Sequence, residues 1–260
     1  MVALRPIIMG VGAAGAAATA IFTQPFRDAD ETQSNGDRGA YEVCLKTQMP
    51  LFEKASAKCY GHEALLALMD ERILDLQGNP VTATMTHPSD MSVPSRNLNT
   101  CRDYRELSFD GWYAATTREM RREGYFVRAC GALSAMFDAQ AAGREYFTNG
   151  SPESEEVASL KGVLRIGETA ADIDAVVVEQ PGAFQWRIAA DSQFVEIQEL
   201  ANADFDNDGI GEILVFLAGG TNGGSALFYD VGLIQKDAAE APLEFSPLSL
   251  ERDDAAGAAG

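Results

Sequence analysis

The sequence predicts an α+β fold, with an N-terminal helical part that carries the cysteines and a C-terminal antiparallel β unit that carries an acidic loop. Three observations predict it. Apolar residues before position 148 recur at steps of three and four, which lines one face of a helix. After the polar stretch NGSPESEEVASL, residues 149–160, the apolar runs shorten and fill with Val, Ile and Phe. Gly, Pro, Asn and Asp cluster between those runs, as they do between antiparallel strands.

The elements follow in order. Residues 1–20, MVALRPIIMGVGAAGAAATA, hold one positive charge (Arg5), an uncharged run and the small-x-small pattern Ala18-Thr19-Ala20. This is the pattern of a signal peptide, and it predicts cleavage after Ala20. The run is short and rich in Ala and Gly, a poor membrane span; an uncleaved anchor is the competing reading. Residues 21–40 lack periodicity and read as a flexible mature N-terminus. Residues 41–148 form the helical region. Within residues 51–76, Leu65, Leu68, Met69, Ile73 and Leu76 fall near helical spacing, and Gly78-Asn79-Pro80 stops that helix. Residues 80–100 read as a loop. A long helix is expected from about Trp112 to Ala142, with Phe126, Cys130, Leu133 and Phe137 on one face. Arg118, Arg121, Arg122 and Arg128 are interleaved with Glu119 and Glu123 and read as solvated faces.

Residues 149–160 read as a linker and 161–250 as the β-rich region. Its strands are expected at Val163–Ile166, Ala175–Val178, Phe184–Ile188, Phe194–Ile197, Ile213–Leu217 and Ala226–Val231, with Gly219 to Gly224 as a hairpin loop. Residues 251–260, ERDDAAGAAG, have nothing to bury and read as a disordered tail.

Charge and cysteines narrow the function. The net charge is −19, with 5 Lys+Arg against 21 Asp+Glu in residues 151–260. Such a half repels nucleic-acid phosphates and anionic membrane surfaces. Neither is expected as a partner; another exported protein is the partner class left open. Cys44, Cys59, Cys101 and Cys130 make an even set without a C-x-x-C pair, which in an exported chain predicts disulfides. Four cysteines allow three pairings. Cys44–Cys59 with Cys101–Cys130 is preferred because each loop stays local and the second ties the pre-helix segment to the long helix. Periplasmic or secreted localisation follows from the leader and the cysteines together.

The acidic loop is DFDNDGIGE, residues 204–212. Asp204, Asp206, Asp208 and Glu212 stand at loop positions one, three, five and nine. Calcium takes six to eight oxygens, some of them backbone carbonyls. Alternating residues of a curled loop can point inward together, and Gly209 permits the sharp turn that lets the Ile210 carbonyl join them. Phe205 and Ile210 would face the core. A bare acidic turn is the competing reading, but a turn needs only one or two Asp or Asn. An EF-hand needs Glu at position twelve and flanking helices, whereas position twelve is Val215, inside an apolar β-like run.

DFDNDGIGE, then ILVFLAGG, then TNGGSALFYDVGL resembles the FG-GAP or VCBS type of calcium loop, over about 30 of the 260 residues. There an acidic loop precedes a strand, a Gly-rich turn and a further strand. The resemblance implies calcium held by Asp204, Asp206, Asp208 and Glu212 with the Ile210 carbonyl. Position nine is Glu where the pattern has Asp, and a single copy does not make a propeller.

No G-x-S-x-G, H-E-x-x-H, P-loop or dinucleotide fingerprint occurs, and His62 and His87 have no Cys or His at ligand spacing. No catalytic residue is therefore assigned. The expectation is an exported, non-catalytic binding or envelope protein with a structural calcium site. The alternatives are an inhibitor or adaptor of another exported protein, and then a secreted hydrolase.

Overall fold

The computed structural model describes residues 41–46, 50–55, 58–90, 92–160, 177–190, 193–224 and 226–248. The leader 1–20, the N-terminus 21–40, the run Val163–Ile166 and the tail 251–260 lie outside the described residues.

The helical part also contains strands. β1 (Val43–Cys44) pairs antiparallel with β2 (Cys59–Tyr60), and a disulfide joins Cys44 to Cys59 across that ribbon. The helix expected across 51–76 contracts to α1 (His62–Leu68). Cys59 is held in the ribbon, and Ile73 and Leu74 make isolated bridges to Phe52 and Pro80, so neither flank is free to coil. Leu65, Leu68, Met69 and Ile73 are still buried, whereas Leu76 is exposed. The apolar pattern marked burial without marking conformation.

Residues 80–100, expected as a loop, hold an antiparallel ribbon of β3 (Ala83–Met85) and β4 (Arg96–Leu98). Val81, Ala83 and Met85 turn into the core at the two-residue period of a strand. A helix not expected from the sequence follows, α2 (Cys101–Phe109). Thr100 accepts from the Asp103 N–H while the Asp103 carboxylate accepts from the Thr100 N–H, a capping box.

The long helix is α3 (Thr117–Asp138), capped by the Thr116 hydroxyl, which accepts from Glu119 N at 3.2 Å. It is shorter than the expected Trp112–Ala142 at both ends. Gly111, at φ 75°, ends α2 in a turn that includes Trp112, and Gln140 is drawn into a bridge with Asp204. Cys101–Cys130 links α2 to α3, so both preferred disulfides are present. Arg128 is fully buried, unlike the solvated arginine face expected of it.

The C-terminal part is a six-stranded antiparallel sheet of β5 (Val177–Gly182), β6 (Gln185–Ala189), β7 (Gln193–Ala203), β8 (Glu212–Thr221), β9 (Leu227–Gln235) and β10 (Glu244–Pro247). Chain neighbours are sheet neighbours throughout, with β5 and β10 at the two ends. Gly219 and Gly220, expected in a loop, belong to β8. The central β8 buries both faces: Leu214 meets the helical part, while Ile213, Val215 and Leu217 meet the opposite core. That is why ILVFL reads as a continuous apolar run instead of an alternating one.

α3 packs on the first face, where Phe126 and Leu133 share a core with Leu214, Val231 and Leu233. The second face is covered by residues 147–160, the segment read in part as a linker. It carries α4 (Ser154–Val157) and places Phe147, Val157 and Leu160 against Trp186, Ile188 and Val195.

Candidate metal centre

The acidic loop joins the two longest strands among the described residues. β7 ends at Ala203 and β8 begins at Glu212, so Asp204, Asp206 and Asp208 occupy the turn and Glu212 the first strand position. The fold brings all four together: one carboxylate oxygen from each lies within 4.8 Å of the others.

Backbone N–H groups set that convergence. Asn207 N and Gly209 N donate to Asp204 Oδ1 and Oδ2 at 2.7 and 2.9 Å. Asp208 N donates to Asp206 Oδ1 at 3.1 Å, and Ile210 N to Asp208 Oδ1 at 2.7 Å. These are the short-range bonds by which Asp residues organise their own turns. Phe205 N closes the ring by donating to Glu212 Oε2 at 2.7 Å. Asn207 and Gly209 have φ of 66° and 87°. Gly209 therefore makes the sharp turn expected of it, and Asn is among the few other residues that enter this region readily.

The site has a buried half and an open half. Asp204 and Glu212 are 4 % and 2 % exposed, whereas Asp206 and Asp208 face solvent. Phe205 is buried as expected; Ile210 is only half-buried. Burial, then the charges of Asp206, Asp204 and Asp208, pushes the Glu212 carboxyl up to about 7. Asp206 is raised chiefly by burial, with Asp208 and Asp204 adding to it. Among the described residues no salt bridge reaches any of the four. The side-chain donor at hand is neutral, Gln235 Nε2 to Asp206 Oδ2 at 3.0 Å.

This donor set fits a hard cation. A carboxylate has about four acceptor positions, so the N–H bonds leave oxygen lone pairs for an ion. Carboxylate and carbonyl oxygens suit calcium, magnesium or manganese better than softer metals. Ile210 forms an isolated parallel bridge with Arg144, whose hydrogen bonds use the Gly209 carbonyl and the Gly211 N–H. The Ile210 carbonyl stays outside that bridge. The flanking elements are strands and Val215 is fully buried in β8, an arrangement unlike the helix–loop–helix of an EF-hand.

Sequence reasoning missed the loop's brace. Gln140 and Asp204 exchange backbone bonds at 2.8 and 3.0 Å, and the N–H groups of Gly143 and Arg144 converge on the Gly209 carbonyl at 3.0 and 3.1 Å. The segment leaving α3 is thereby fastened to the acidic turn. Small residues permit the approach: a Cβ on Gly211 would lie 3.1 Å from that of Ala142. It also missed a polar cluster around Glu199, which is fully buried and takes Lys46 Nζ at 3.1 Å and Ser151 Oγ at 2.9 Å. Lys46 further reaches the Gly150 carbonyl, so the cluster ties the end of β1 and residues 150–151 to β7.

The chain matches no family model, no curated protein and no solved structure.

Proposed function

We propose that this is an exported, non-catalytic binding or envelope protein in which one calcium ion fixes the turn between β7 and β8. The observation that carries the reading is the convergence of the Asp204, Asp206, Asp208 and Glu212 carboxylates without a cationic partner among the described residues. Calcium is preferred over magnesium because a site made largely of protein oxygens asks the ion to shed most of its water, which magnesium does reluctantly. The Ile210 carbonyl would complete the protein ligands. Export is supported by the two disulfides, which suit an oxidising compartment. No helix among the described residues is long and apolar enough to cross a membrane.

The ion acts as a staple. It would hold the turn to which residues 140–144 are fastened, and so bind the end of the helical part to the sheet. With Kd about 10⁻⁴ M and free calcium about 10⁻³ M, linkage stabilises the fold by roughly 1.4 kcal/mol. A melting temperature followed with and without calcium tests this. A rise of a few degrees is expected in the native chain and none in Asp206→Ala. Calorimetry that detects no binding at millimolar calcium would refute the reading.

A further inference from the structure

The chain leaving β1 runs on beside β7: Leu45 bridges Ala201, and Lys46 N donates to the Leu200 carbonyl at 2.8 Å. Lys46 is thereby seated against the stretch of β7 that carries Glu199 and Asn202. On a regular strand, residues three apart point to opposite faces. The register shifts between Glu199 and Ala201, and such a bulge re-aims the side chains beyond it. Glu199 and Asn202 consequently serve one cluster.

At its centre the Gly150 carbonyl accepts from both Lys46 Nζ and Asn202 Nδ2, the latter at 2.6 Å. A Cβ built on Gly150 would lie 3.5 Å from Lys46 Nζ and 3.0 Å from Asn202 Nδ2. Amine and amide are therefore neighbours. Nδ2 also donates to Glu145 Oε1 at 3.2 Å, so the amide is held by its nitrogen. Asn202 Oδ1 and Glu199 Oε1 are both buried and have no hydrogen-bond partner. Two buried acceptors without a donor are unfavourable, and a proton on Glu199 would supply one. Burial does raise the Glu199 carboxyl above its ordinary range, and its Oε2 already takes Lys46 Nζ at 3.1 Å.

We propose that Lys46 and Asn202 join in an isopeptide bond within the chain, with Glu199 carrying the protons. Glu199 takes a proton from the Lys46 ammonium, which frees the Nζ lone pair to attack Asn202 Cγ. The Nζ–Cγ bond forms and the Cγ–Nδ2 bond breaks. Nζ gives up two protons in all; both pass to Nδ2, which departs as ammonium. Nothing is oxidised or reduced, and Glu199 ends as the carboxylate it began as. Enclosure favours this step by keeping out the water that would compete for the amide. The Lys46 side chain remains 18 % exposed, which leaves the ammonia a way out. The reaction needs no external ligand and uses none of the metal-centre residues.

Intact-mass spectrometry of the folded, purified chain, reduced and denatured just before measurement, tests it. The mass should fall about 17 Da below that of the sequence present, the loss of one ammonia. A tryptic digest should contain a branched peptide that joins Lys46 to Asn202 and survives reduction. Asn202→Ala and Glu199→Gln should each keep the full mass and lack that peptide. Full mass in the native chain would overturn the proposal. So would an ammonia loss confined to the Asn202 peptide, which is a succinimide, or a loss of water that links Lys46 to Glu199. Branched peptide at the native yield in folded Glu199→Gln would overturn the role of Glu199. The native chain's mass decides the bond even where a variant fails to fold.

Discussion

Two α3 residues, five positions apart, show how burial changes what a charged side chain does. Glu123 is largely withdrawn from water, which pushes its carboxyl from 4.5 up to about 7. Its folded form therefore holds a proton more tightly than the unfolded chain does. Stability contributed by that proton is present below about pH 4.5 and is lost as pH rises toward 7. Glu123→Gln should flatten this loss and raise stability above pH 7, by an amount on the order of 1–2 kcal/mol. Melting curves of both proteins from pH 4.5 to 8, taken in chelator, check it. The comparison must be between variants, because burial likewise raises Asp230 to about 6. At Arg128 burial acts in the opposite direction and lowers the guanidinium to about 10. Neither fate was legible in the sequence, where Arg118 to Arg128 looks like a mixed-charge surface. The four acids of the candidate site were legible, since their convergence comes from the local turn.

Elements were readable where local pattern and tertiary demand agreed. The core face of α3 follows from periodicity and the strands β6 to β9 from short Val-, Ile- and Phe-rich runs between turn residues, and Thr116 and Thr100 cap their helices as such residues do. Reading failed where long-range pairing decided. Ile73 has helical spacing, yet it pairs with Phe52 as an isolated bridge, and the proline-rich segment before Cys101 hides a two-stranded ribbon. Gly131 tests how closely α3 is seated. In an isolated helix Gly→Ala gains about 1 kcal/mol. Here the added methyl would meet Val231 Cγ2 at 2.8 Å, and the stiff β-branched side chain cannot easily turn away. Overpacking of this kind typically destabilises by about 1–3 kcal/mol, so Gly131→Ala should lower stability by roughly 1 kcal/mol or more. Urea unfolding gives the sign.

At the scale of the molecule, the two disulfides close loops of 15 and 29 residues, both within the part that precedes the sheet. Each should stabilise that part by about 3 kcal/mol by restricting the unfolded chain. Replacing Cys101 and Cys130 with alanine should therefore produce a large loss of stability, measured by denaturant unfolding under oxidising conditions. The sheet has another kind of safeguard. Its end strands, β5 and β10, each have a neighbour on only one side within the six-stranded order. A long, flat strand in that position invites a second chain to add on, the first step of edge-to-edge aggregation. Proline cannot donate to a ladder, and each end strand contains one, Pro181 in β5 and Pro247 in β10. β10 is also only four residues long and begins with exposed Glu244. An intruding strand would meet a missing donor at either end, and at β10 a carboxylate as well. The order that lets the meander form from neighbours also gives it ends on which another copy cannot easily grow.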